Sequence, residues 1–240
     1  MRAMKRWQMV VVFAMAMAWL ESAIVLYGRL LANRLEPYQP NPLPFMAELG
    51  PTELVREAAT MVMLWAVGWF AGDTRRARWA LTCVAFGVWD IFYYIFLRII
   101  CGWPRTLLDW DLLFLIPLPW WGPVIAPMLI AALMIAWGTL VALNDSAARP
   151  LRSRWPVWAT AAVGAALALA VFMADAMRVA DGGIEALCNV LPVQFNWPVF
   201  GVALALLAAP VADVARQLRR RARTGGEKTS IRFRYEPSCS

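Results

Sequence analysis

The stretch RRARWALTCVAFGVWDIFYYIFLRII, residues 75–100, decides the fold. Three arginines, Arg75, Arg76 and Arg78, open it. An apolar run follows, interrupted by Asp90 and Arg98 alone among charged residues. A helix needs roughly 20 such residues to cross the hydrocarbon core of a bilayer. Arg and Lys resist translocation, so the cluster marks the cytoplasmic end of a membrane span.

Working outward, the same signal recurs. Apolar runs lie at about 8–31, 53–72, 79–100, 122–143, 157–180 and 198–215. Basic residues crowd into every second gap: Arg2, Lys5 and Arg6; Arg75, Arg76 and Arg78; Arg149, Arg152 and Arg154; then Arg216, Arg219, Arg220, Arg221, Arg223, Lys228, Arg232 and Arg234. The sequence therefore predicts an all-α transmembrane bundle of six helices over 1–222, with N and C termini cytoplasmic. A flexible basic cytoplasmic tail is expected over 223–240. The first span carries Ala14, Ala16 and Ala18, spaced like a signal-peptide cleavage site, but its apolar run continues to Leu31 and reads as a span.

Composition agrees. The 240 residues are 61% hydrophobic and 16% charged, with mean hydropathy +0.56. Soluble domains show about 45–50% apolar and about 25% charged residues. The net charge of +7 is concentrated at one side of the membrane, where topology and anionic lipid headgroups account for it. Nucleic acid is not an expected partner; membrane lipids are, together with a small-molecule or lipid ligand.

The loops predicted to face outward differ in kind. The first, 32–52, holds Pro37, Pro40, Pro42, Pro44 and Pro51 and should be extended. The second reads CGWPRTLLDWDLLFLIPLPWW, residues 101–121. It is too apolar for a solvated loop and too broken by Pro117 and Pro119 for a span. A short interfacial helix or a re-entrant segment between helices three and four is expected. Trp103, Trp110, Trp120, Trp121 and Trp197 fall at the outer face, and Trp7, Trp79, Trp155 and Trp158 at the inner, as an aromatic belt. Cys101 and Cys188 both fall in outward loops; pairing in an oxidising compartment is one reading, and two unpaired small hydrophobes is the preferred one.

Four acids lie inside apolar spans: Glu21, Glu57, Asp90 and Asp175. A charge at a helix centre costs about 2.5–3.5 kcal/mol even on insertion scales, so these side chains should face the bundle interior. Arg29, Arg56, Arg98 and Arg178 stand toward the outer ends of the same helices. Glu21 with Arg29, Asp90 with Arg98 and Asp175 with Arg178 suggest a helical hairpin used three times, although the third spacing differs. The arrangement reads either as an outward-facing polar pocket or as buried ion pairs that fix packing. Asp90, Tyr93 and Tyr94 share one helix face at i, i+3 and i+4 and suit a proton relay or a polar headgroup. Asp109 and Asp111 bind a divalent ion only if the backbone there is extended or turned, and no third ligand is evident. No metal or cofactor is expected. His is absent, which removes the commonest zinc ligand and general base. No phosphate loop, dinucleotide fingerprint, nucleophile elbow or zinc-protease motif is present.

The segment FGVWDIFYYIFLRIICGWPRTLLDWDLLFLIPLPWWGPVIAP (86–127), with LESAIVLYGRLL (20–31) and REAATMVML (56–64), resembles an uncharacterised family of bacterial multi-pass inner-membrane proteins. The resemblance implies a bacterial inner-membrane location and carries no activity or site residue. Three functions stay open: a transporter-like or ligand-binding protein with an acid/Arg pocket, a membrane-embedded enzyme acting on a lipid or isoprenoid, and a structural subunit of a membrane complex.

Overall fold

Each apolar run folds as a helix, because backbone groups in lipid must be satisfied within the segment. The computed structural model describes residues 2–31, 37, 50–188 and 190–233. Its long helices are α1 (Arg2–Leu31), α2 (Gly50–Ala71), α3 (Arg75–Cys101), α4 (Ile125–Asn144) and α5 (Trp155–Phe172). Between α3 and α4 lie two short strands, β1 (Trp110–Phe114) and β2 (Trp120–Pro123). After α5 come α6 (Ala174–Val179), a 3-10 turn (Ala180–Gly182), α7 (Gly183–Cys188), α8 (Trp197–Leu207) and α9 (Ala209–Phe233). Among the described residues six helical segments are long and apolar enough to span a membrane, the last running Trp197–Arg223 through α8 and into α9. Pro210 lacks the N–H that a continuous helix would use, and α8 gives way to α9 at Ala208. Of the tail, the backbone is helical to Phe233, and 234–240 lie outside the described residues. Most of the proline-rich loop at 32–52 also lies outside them.

The helix α3 is the hub of the first four spans and packs against α4, α1 and α2. The close approaches use small residues, as in other membrane bundles. A Cβ on Gly138 would lie 2.4 Å from the Ala80 carbonyl oxygen, and one on Gly87 would lie 2.6 Å from that of Ala131. The helix α5 packs on α8, where Gly164 meets the Ala203 carbonyl. Three apolar clusters result among the described residues. One gathers Ala14, Ala18, Leu64, Ala80, Val84, Trp89 and Val141; a second gathers Ala126, Ala168, Phe172, Phe195, Phe200 and Ala203; a third gathers Tyr94, Leu97, Trp103 and Val124.

The four basic segments share one end of the bundle. Arg6 pairs with Asp73 in the α2–α3 turn. Asp145 after α4 accepts from the Thr74 hydroxyl (2.9 Å), Arg76 Nε (2.9 Å) and the Leu151 N–H (2.8 Å). Arg221 on α9 donates to the Arg149 and Pro150 carbonyls. The clustering that sequence assigns to the cytoplasmic side is thus also a cluster in space.

At the other end the segment after α3 forms a β-hairpin over 110–123, which corrects the short-helix expectation for 101–121. Asp111 pairs with Gly122 and Leu112 with Trp121, antiparallel. Pro117 and Pro119 sit in its turn, where helix would lose N–H donors, and Trp, Leu and Phe suit strand. Its two ends meet: the Val124 N–H donates to Asp109 O (3.0 Å) and the Ile125 N–H to Leu107 O (2.8 Å). The segment therefore enters and leaves at one face. Trp103 and Trp121, expected in the outer belt, are buried inside the protein instead.

Candidate functional site

The hairpin roofs a cavity of about 780 Å³ that lies between the first two of these clusters. Its walls take residues from α1, α2, α3, the hairpin, α4 and α5. One end is polar. Glu21, Arg29, Glu53, Arg56, Glu57, Thr60, Asp90, Tyr93, Tyr94 and Asp111 all line it. The other end is apolar, with Ile130, Ala165, Ala168, Leu169 and Phe172. Ile24 and Leu54, both exposed, put one edge of the cavity at the bundle surface between α1 and α2.

Most of the charges at the polar end are matched. Arg56 pairs with Glu21 and, at 2.5 Å, with Glu53 three residues before it on α2. The Thr60 hydroxyl donates to Glu21 (3.3 Å). Arg29 Nη2 lies 3.3 Å from Asp111 Oδ1, and its guanidinium stacks 4.2 Å from the Trp103 ring centroid. The Tyr94 hydroxyl also hydrogen-bonds Asp111. These contacts anchor the hairpin to α1 and α3.

Two carboxylates stand apart. Glu57 is buried and accepts from the Leu115 N–H in the hairpin turn (3.2 Å). Asp90 is 7% exposed, and its Oδ2 has no hydrogen-bond partner among the described residues. The expectation that Asp90 points inward holds, but none of Glu21, Arg56, Glu57 or Asp175 bonds it. The buried indole N–H groups of Trp89, Trp120 and Trp121, all on the cavity wall, are likewise without acceptors. Buried polar groups are nearly always hydrogen-bonded, so such a gathering around one cavity is unusual.

The remaining candidates fall elsewhere. Arg98 does not meet Asp90; it closes the end of α3 by donating to the Gly102 (2.5 Å) and Pro104 (3.1 Å) carbonyls. Arg178 pairs with Asp175 at 3.0 Å within α6, away from the cavity wall. Since Arg29 pairs with Asp111, only one of the three acid–Arg pairs behind the suggested repeat forms. Asp109 and Asp111 part company, for the Asp109 side chain turns back to accept from the Arg105 N–H (2.7 Å) and the Thr106 hydroxyl (2.6 Å). Burial alone would raise the Asp109 pKa, but these bonds outweigh it and hold the carboxyl below its ordinary value. Among the described residues no three His, Cys, Asp or Glu side chains group as metal ligands. The Cys101 thiol donates to the Leu97 carbonyl (3.1 Å), and the Cys188 side chain lies outside the described residues. Sequence reasoning missed Thr60 and Trp89 on the cavity wall; Thr60 carries a weak signal, sharing a face of α2 with Glu57 at i, i+3.

No protein-family model matches the chain, and no curated protein and no solved structure matches it either.

Proposed function

We propose that this chain is a transporter-like, ligand-binding protein of a bacterial inner membrane, with both ends cytoplasmic, and that it takes an amphipathic molecule into the cavity beneath the hairpin. The observation that carries the reading is the cavity itself, about 780 Å³, with Asp90 on its wall, whose Oδ2 has no hydrogen-bond partner among the described residues. Ligand sites typically occupy about 300–1,000 Å³ and combine apolar walls with a few polar groups. The ligand's polar part lies by Glu57 and Asp90, and its apolar part extends past Ile130 toward Ala168 and Phe172. Exposure of Ile24 and Leu54 at the rim gives an amphiphile a way in from the lipid.

A long-chain alcohol bearing a diazirine, photolysed with the protein in lipid nanodiscs, tests this. Peptides containing Leu115 and Leu169 should be labelled. Ala168→Trp, which narrows the apolar end of the cavity, should lower that labelling and spare the exposed Phe70 and Val163. Cavity labelling that is absent, or that Ala168→Trp leaves unchanged, would overturn the proposal.

A further inference from the structure

The charges at the polar end do not balance. Among the described residues five carboxylates line the cavity, Glu21, Glu53, Glu57, Asp90 and Asp111, against two arginines. Both arginines are engaged, Arg56 by Glu21 and Glu53, and Arg29 by Asp111 and Trp103. Neither Glu57 nor Asp90 has an ion-pair partner among the described residues. An anionic ligand group entering here would meet carboxylates first and find no uncommitted cation among the described residues.

The wall beside Asp90 is aromatic. Trp89 stacks on Tyr93 with centroids 6.3 Å apart, and Phe114 lies 6.4 Å from Trp89 and 6.5 Å from Phe86. All four line the cavity. Trp and Tyr faces attract a cation within about 6 Å, most strongly when it is desolvated. A carboxylate set among such rings is the chemistry that recognises an ammonium group. A metal ion fits poorly, because no three His, Cys, Asp or Glu side chains among the described residues group as ligands. The unpartnered indole N–H groups are neutral; a hydroxyl or carbonyl oxygen on the ligand serves them without reversing the sign of the site.

Building on the reading of the cavity as a ligand site, we infer that its ligand is a lipophilic ammonium compound, the cationic group held by Asp90 and the ring faces of Trp89 and Tyr93, with Glu57 supplying a second carboxylate from α2. The apolar half of the cavity receives the body of the molecule.

Three photoprobes with the same diazirine-bearing chain, ending in trimethylammonium, hydroxyl or sulfonate, separate this claim from the one beneath it. Labelling of Leu115 and Leu169, normalised to exposed Val163, is compared in nanodiscs. The ammonium probe should exceed the alcohol by about tenfold, the size of one desolvated cation contact, and the sulfonate should fall below both. Asp90→Asn should bring the ammonium probe down to the alcohol. If that variant does not fold, Glu57→Gln carries the test, with an expected loss of about threefold in the same ratio. Equal cavity labelling by all three probes would overturn the cationic assignment and leave the ligand site standing. Cavity labelling by none of them would overturn the ligand site itself.

Discussion

Replacing Asp145 by Ala should loosen the cytoplasmic end of the bundle by a predictable amount. The Asp145 side chain is fully buried and joins the α2–α3 turn to the α4–α5 loop through Thr74, Arg76 and Leu151. Truncation leaves the buried Leu151 N–H without an acceptor, which costs about 1–3 kcal/mol. Arg76 is 35% exposed and can turn to water, so its ion pair contributes only about 0.2–1 kcal/mol. The Thr74 hydroxyl loses one bond but still caps α3 by accepting from the Ala77 N–H (3.0 Å), a loss of about 0.5 kcal/mol. Together these give about 2–4 kcal/mol, or a fall in Tm of roughly 6–12 °C for a chain of this size. Thermal unfolding in detergent, followed by fluorescence-detected size exclusion, measures it. Asp145→Asn keeps an acceptor for Leu151 and should lose about half as much. Adding Arg76→Met to Asp145→Ala should change little further, because the arginine is already solvated. A Tm within about 1 °C of the parent for Asp145→Ala would refute this accounting of the contact.

Gly138→Ala should destabilise by about 1–3 kcal/mol in the same assay, since its Cβ would meet the Ala80 carbonyl at 2.4 Å and force α3 and α4 apart. Glu57→Leu should free the Leu115 N–H, raising its hydrogen-exchange rate while leaving α2 amides protected. For Asp109 the folded pKa lies below its ordinary value of 3.8, so its contribution to the hairpin base is complete above that value and is lost as pH falls through the depressed one. Exchange at Arg105 and Thr106 should thus be unaffected by the Asp109 carboxyl between pH 5 and 8, and Asp109→Asn should speed it there.

The six spans could be read from sequence because two independent physical signals coincide: apolar runs of bilayer length, and basic clusters at alternate ends. The cost of a charge in lipid likewise placed Glu21, Glu57 and Asp90 indoors without any view of the fold. The hairpin was harder. A short run such as DWDLLFLIP carries no period that separates strand from buried helix, and only its prolines spoke against helix. The pairing of Arg29 with Asp111 spans 82 residues and hangs on that hairpin, so nothing local announced it. Arg98 misled because a cation near a helix end finds backbone carbonyls as readily as a distant carboxylate. Trp103 and Trp121 misled similarly: a tryptophan at interface depth can face inward as well as outward. Asp145 carries no local signal in the sequence, because its three donors come from segments that approach only in the folded bundle.

The central claim, that an unpaired carboxylate sits on a cavity built to be filled, is tested most directly by electron cryo-microscopy of the wild-type protein in nanodiscs of its native lipids. The account predicts elongated density beneath the hairpin, running from Glu57 and Asp90 to Phe172, with one end within hydrogen-bond or ion-pair distance of Asp90. A collapsed cavity in which Asp90 bonds a group of the protein itself would contradict it.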